Sequence, residues 1–471
     1  MQATRLHSAA SFLSSCGGAG EPAMRSIIIA AWLFSAVTST PAFGETAAGA
    51  TIADLAALRD IGGPYGELAV SPNGETAAVI ERRADLERND YRYVVVAIDS
   101  ASARSREIAD AGGFVLRSDG GRRAGVGILR QPQFSDSRTL YFLRENAGAV
   151  QIWAAAIDGG GARALTPAAG DVRRFRVDGA RIVFETSTPR EALRADAERR
   201  ERLGFRIDDR LAPSYSLEPL RDIDRDIGVW TLDLATLALG AGDADDAALL
   251  ADAPRPHVRP LDPNLQVVEP PVGVFGADGA RCGDAACSAP ITHTWGTRDE
   301  IGDAILFRRL EGHARSTTAF YHWRSGQHSA RLVWRGEERT EGCTPTSEAL
   351  ICLQDSAAAP RRVVSIRLSD GRLRALYDPN PQWRQIARPR IERFDYTDRE
   401  GNESFAHLVY PLNWRRNRLY PLVVVQYRSR GFLLGGVGDE TPILPLSARG
   451  YFVLSFDRPE FREREQRMSY P

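Results

Sequence analysis

The residues most able to do chemistry gather late in this 471-residue chain. Leu422-Val423-Val424-Val425-Gln426 is a continuous run dominated by β-branched residues, and Tyr427-Arg428-Ser429-Arg430-Gly431 follows it directly. The run predicts a strand buried on both faces. A phenol at the C-terminal end of such a strand stands where open α/β sheets place their chemistry. A hydroxyl fixed there can donate to a developing oxyanion, an effect worth about 3–4 kcal/mol of barrier. On the residues alone Tyr427 reads first as a core residue capping its strand, with the oxyanion role as the alternative. Ser429 is a poor nucleophile candidate, because Tyr427 stands at the first glycine of the G-x-S-x-G elbow and no such elbow occurs in the chain. The seven histidines (His7, His257, His293, His313, His322, His328 and His407) show no H-E-x-x-H spacing and read as surface or core residues.

Composition removes other chemistries. All 60 basic residues are arginine. A Walker A loop, a pyridoxal Schiff base and a Ser-Lys dyad each need a lysine amine, so all three are excluded. Neither a cofactor nor a metal is expected. The net charge of −1 provides no field to steer nucleic acid. With 43% hydrophobic and 26% charged residues, the chain is globular rather than disordered.

Met24-Arg25 precedes the uncharged apolar run Ile27–Val37, and Thr40-Pro41-Ala42-Phe43-Gly44 follows. A run of this length suits a signal-peptide core and is too short to span a bilayer. The expectation is a leader over 1–44, cleavage before Glu45, and a periplasmic or secreted protein that is free of the membrane afterwards. Past the leader, with its stray Cys16, stand Cys282, Cys287, Cys343 and Cys352. An even number in an exported chain predicts disulfides, with three pairings possible. The local pairs Cys282–Cys287 and Cys343–Cys352 are favoured, the second because it brackets a hairpin. Zinc-type C-x₂-C and paired-histidine spacings are absent.

These residues need elements to position them. From Gly63 to Trp383 short alternating apolar runs are broken by turns such as Ser71-Pro72-Asn73-Gly74, Asp178-Gly179 and Ser369-Asp370-Gly371. Such regular punctuation predicts an all-β array. At ~40–50 residues per four-stranded blade it accommodates about seven blades. Pro189–Arg210 reads as an exposed charged helix inserted in a blade, and Leu239–Pro271 as mostly loop. Near Pro389 the pattern changes. Arg393–Gly401 is read as a hairpin turn and Phe405–Tyr410 as the return strand. Leu422–Tyr427 is a strand, Thr441–Arg449 a short helix and Tyr451–Phe456 a second strand ending at Asp457. Strand–helix–strand order opens an α/β sheet. The expected fold is mainly β: an N-terminal arm (45–62), a β-propeller (63–388) and the first strands of an incomplete α/β-hydrolase domain (389–471).

This order resembles the prolyl oligopeptidase family of serine peptidases. The specific part of the resemblance is Asp395-Tyr396-Thr397-Asp398-Arg399-Glu400-Gly401, Val409-Tyr410-Pro411 and Tyr420-Pro421-Leu422-Val423-Val424-Val425. Within the family, Gln426–Phe432, Gly435-Gly436, Gly438-Asp439-Glu440 and Phe456-Asp457-Arg458-Pro459 are similar to the lasso peptide isopeptidase subgroup. Tyr427-Arg428-Ser429-Arg430 replaces the His-Gly-Gly-Pro or Tyr-Ala-Gly-Pro type turn of ordinary members, and Asp457-Arg458-Pro459 replaces Asp-x-Arg-Gly. The resemblance implies an exported serine hydrolase that opens the macrolactam of a lasso peptide. It gives Tyr427 the role of oxyanion stabiliser, with Arg428 and Arg430 meeting acidic or C-terminal groups of the peptide. The family's Ser, Asp and His would lie beyond Pro471, so these residues alone are expected to be inactive. A general dipeptidyl or oligopeptidyl peptidase and a non-catalytic peptide-binding propeller are the alternatives.

Overall fold

The chain divides into two units, Met1–Thr46 and Ala47–Pro471. The computed structural model describes residues 48–457 apart from internal breaks, the longest at 212–227 and 252–273. The leader, Cys16, Arg428, 434–440 and 458–471 therefore lie outside the described residues.

One five-stranded and four four-stranded antiparallel sheets follow one another along the described propeller residues. Thr76–Asp85, Thr139–Asn146, Arg181–Thr186, Gly302–Glu311 and Ala359–Arg367 are inner strands, one in each sheet. About seven blades were expected; the described residues contain five such sheets, and much of 209–279 falls outside them. Strand periodicity explains how the sheets stack, because successive side chains leave a strand on opposite faces. In Thr76–Asp85, Ala78 and Ile80 pack with Leu140 and Phe142 of the second sheet. Ala77 and Val79 pack with Ile351, Leu353 and Val363 of the fifth. The first sheet is thus clamped between the second and the last. Leu306 and Phe320 join the fourth sheet to Leu350, Cys352 and Val364 of the fifth. Gly371 is required at this junction. Its φ is +70° and a Cβ there would come within 2.1 Å of the Val333 carbonyl oxygen. Disulfides join Cys282 to Cys287 and Cys343 to Cys352.

The inserted helix spans Arg190–Leu203. The segment read as mostly loop holds a second helix, Ala244–Ala251, with Leu250 buried and Asp246 paired to Arg181. Asp243 caps it, its carboxylate accepting from the backbone N–H groups of Asp245 and Asp246. A short Ala/Asp run that looks like turn composition is helical here because of that cap.

The C-terminal sheet has the order Ile391–Thr397, Glu403–Val409, Phe452–Asp457, Leu422–Tyr427. Only the last pair is parallel, and the helix Ile443–Ala448 lies between its strands in sequence. The first strand runs through to Thr397, so the turn is confined to 398–402 instead of occupying Arg393–Gly401. Burial on both faces of Leu422–Tyr427 is also corrected. Val425 is buried, but Leu422 is 54% and Val424 56% exposed. Among the described residues this strand has a neighbour on one side only. A β-branched run reports a preference for sheet and does not reveal which face is covered.

The arm before the propeller completes the core of this sheet. Thr51 and Asp54 form a capping box on the short helix Ile52–Ala56. Ala50 and Leu55 pack with Trp383, Val409, Ile443 and Val453. Asn380, 1% exposed, holds the arm like a strand neighbour: its Oδ1 accepts from Arg59 N–H at 2.9 Å and its Nδ2 donates to the Arg59 carbonyl at 2.7 Å. Asn380→Ala leaves both backbone groups without that partner. It should lower stability by about 1–3 kcal/mol, measured by urea unfolding of the full chain; an unchanged midpoint would show that the arm is held by its apolar contacts alone.

Candidate active-site cleft

A cleft of about 570 Å³ lies between the propeller and the C-terminal sheet. Arg308, Arg315 and Arg339 line it from the propeller side, and Arg393, Phe405, His407, Ser429 and Arg430 from the sheet side.

Asp457, at the end of its strand, organises the sheet side. Its Oδ1 accepts from Ser429 N–H at 3.0 Å and its Oδ2 from Arg430 Nε at 2.7 Å. Its carbonyl accepts from the Ser404 hydroxyl at 2.7 Å and the Tyr396 hydroxyl at 3.1 Å. The parallel ladder sets Tyr427 opposite Asp457, so Tyr427 ends its strand beside this carboxylate. The Tyr427 side chain and all of Arg428 lie outside what is described.

Arg430 also reaches the propeller. Its Nη2 donates to the Ala314 carbonyl at 3.0 Å and its Nη1 to the Arg315 carbonyl at 3.3 Å. The guanidinium expected to face substrate is thus held by one carboxylate and two carbonyls at the cleft wall. The same turn is gripped from the hairpin. His313 Nε2 lies 2.8 Å from the Tyr396 carbonyl and 2.9 Å from that of Ser404, so this nitrogen carries the proton. The Tyr396 carbonyl, helped by that of Ser404, holds the His313 pKa above its ordinary value. Glu403 accepts from the Ala314 N–H at 2.9 Å. Phe405 carries the Arg393 and Arg430 guanidinium groups at 4.5 and 5.3 Å from its ring centre. Gly431, with φ +73°, has no room for a side chain: a Cβ would meet Asp355 Oδ1 at 2.1 Å.

His407 was read as a surface or core residue, yet it lines the cleft with its Nδ1 2.9 Å from Ser429 Oγ. The pair has the spacing of a nucleophile and its base. Ser429 is nevertheless 1% exposed, and its hydroxyl also lies 3.0 Å from the Ser455 carbonyl, so it is shut away from an incoming carbonyl carbon. Burial, helped by the Arg393 charge, lowers the His407 pKa to about 4. The one signal in the sequence is that His407 alternates with Phe405 on a strand; its partner stands 22 residues later. No cluster of three or more His, Cys, Asp or Glu side chains that could hold a metal occurs among the described residues.

No family model matches the sequence. The chain is similar to the lasso peptide isopeptidase AtxE2 of Asticcacaulis excentricus, with 33% identity over 429 residues that make up 86% of this chain and 61% of that protein. Against the structure of apo AtxE2 isopeptidase the TM-score is 0.73 at 30% identity, covering 88% of this chain and 67% of the other. This chain belongs to the prolyl oligopeptidase family, on its lasso peptide isopeptidase branch. A variant of AtxE2 with Astexin3-dC4 bound superposes equally well. The acylaminoacyl peptidase of Pyrococcus horikoshii, 14% identical with a TM-score of 0.53 over 86% of this chain and 66% of its own, shares the fold. In the terms of this family, the cleft lies between a β-propeller and the opening strands of an α/β-hydrolase sheet. The chain spans 61% of the length of its curated relative.

His407 links the cleft to pH. Between about pH 6.5 and pH 4 the unfolded chain binds a proton that the folded imidazole refuses, so stability falls as pH is lowered through that window. His407→Gln should flatten this part of the stability profile in denaturant titrations at pH 7 and 4.5. An unchanged slope would move the pH sensitivity to other groups.

Proposed function

We propose that the protein is an isopeptidase that opens the macrolactam of a lasso peptide. The observation that carries this reading is the similarity to AtxE2 across both the propeller and the sheet. The cleft supports it: a volume of about 570 Å³ suits part of a peptide, and its arginines are donors for carbonyl and carboxylate oxygens. The 471 residues contain no G-x-S-x-G segment. In this reading the nucleophilic Ser, with its His and Asp, comes from residues outside these 471. That Ser attacks the isopeptide carbonyl carbon while His takes its proton. The proton passes to the departing amine, and water then hydrolyses the acyl-enzyme.

This chain supplies the surroundings of that step. The Tyr427 hydroxyl donates to the tetrahedral oxyanion from its strand end. Arg428, with Arg430 at the cleft wall, meets acidic or C-terminal groups of the peptide. Joined to a family C-terminal half, the protein should hydrolyse a lasso peptide, read as the mass of one added water. Tyr427→Phe should lower kcat about 10²–10³-fold with KM nearly constant. An unchanged kcat would return Tyr427 to the strand core. Cleavage of linear peptides alone would replace the isopeptidase reading by a general peptidase, and binding without cleavage by a peptide-binding propeller.

The reading includes export. The apolar run Ile27–Val37 and the two disulfides support it, since such bridges persist in oxidising compartments. N-terminal sequencing of periplasmic or secreted protein should begin at or near Glu45; retention of Met1 or Met24 would overturn export through this leader.

A further inference from the structure

No step above uses His407. It shares the cleft-lining face of its strand with Phe405, and its Nδ1 meets Ser429 Oγ. That hydroxyl has one proton to donate and lies beside two groups, the imidazole at 2.9 Å and the Ser455 carbonyl at 3.0 Å. A carbonyl oxygen only accepts. Both contacts are hydrogen bonds in one arrangement alone: Ser429 Oγ–H donates to Ser455, and His407 Nδ1–H donates to Ser429 Oγ. The alternative turns an oxygen lone pair of Ser429 toward the Ser455 carbonyl in a buried site. The arrangement selects the Nδ1–H tautomer and leaves a lone pair on Nε2.

The rest of the cleft makes that lone pair informative. Arg308, Arg315, Arg339, Arg393 and Arg430 offer only donors. Glu341 is occupied by Arg339 and Arg361. The other acceptors, Glu337, Glu338 and the hydroxyls of Ser316, Thr318, Thr340 and Ser356, line the propeller side. An extended peptide displays N–H groups as well as carbonyls, and on the sheet side Arg393 and Arg430 only donate while Ser429 is buried, so among the described lining residues there His407 is placed to accept. We propose that His407 Nε2 is an uncharged acceptor for an amide N–H of the peptide lying in the cleft, with Ser429 as the positioning residue that fixes the tautomer. The proposal rests on the peptide-cleaving reading above and adds a specificity residue to it.

The test uses the full chain with ¹⁵N-labelled histidine, the His407 signals being assigned by their loss in His407→Gln, and Astexin3-dC4 as the probe. At pH 7 His407 should show a protonated Nδ1 and a bare Nε2. Ser429→Ala should release the ring toward the Nε2–H form, an effect that a merely structural serine would not produce. Adding the peptide should shift the Nε2 resonance. His407→Phe should weaken binding about 5–10-fold, while His407→Gln, which keeps an acceptor, should retain most of the affinity. An Nε2–H tautomer in the wild-type chain overturns the inference. So does equal affinity in wild type and His407→Phe, and that result leaves the peptide-cleaving reading intact. Failure of the wild-type chain to bind the peptide at all removes both.

Discussion

The cleft depends on one carboxylate. Asp457 fixes the chain after the parallel strand through Ser429 N–H and aims Arg430 at the propeller, while its own carbonyl gathers Tyr396 and Ser404 of the hairpin. The far end of this network is the turn His313–Arg315. Ala314 and Arg315 both have φ of +51°, left-handed conformations that cost non-glycine residues roughly 1–2 kcal/mol each. The turn holds because its carbonyls accept from Arg430, its Ala314 N–H donates to Glu403, and His313 is pinned to two hairpin carbonyls. Propeller wall and sheet wall are thereby fixed to each other at the mouth of the cleft.

The absence of lysine fits this design. One guanidinium can serve a carboxylate and two carbonyls at once because its donors form a planar fork, whereas an ammonium is a compact point charge on a flexible stem. Arg430 does so across the interface, and Arg361 serves two carboxylates, Asp355 and Glu341, together with the Ile61 and Gly63 carbonyls. The same planar shape lets Arg393 and Arg430 lie against Phe405.

The blades were legible because period-two alternation and Asn/Asp/Gly turns are local signals, as was the strand–helix–strand order after Pro421. The helix Ala244–Ala251 was not, because its cap matters more than its Ala/Asp composition. The anchoring of Arg430 and the place of His407 in the cleft were hidden for a shared reason. Their roles depend on Asp457 and Ser429, 27 and 22 positions later in the chain, and a residue's neighbours in sequence carry no trace of a partner brought in by folding. The half-covered strand Leu422–Tyr427 teaches the same point for packing: residue type indicated sheet, and topology decided exposure.

The two disulfides bear on the order of events as the chain acquires its structure. Their cysteines are separated by 5 and 9 positions. Loops of that size close within roughly 10–100 ns by local chain motion, long before distant sheets meet. Of the three pairings that four cysteines allow, the protein uses the one that asks for no long-range search. Each cysteine therefore meets its partner within a newly emerged segment, and the slower oxidation that joins the pair asks nothing of the distant sheets.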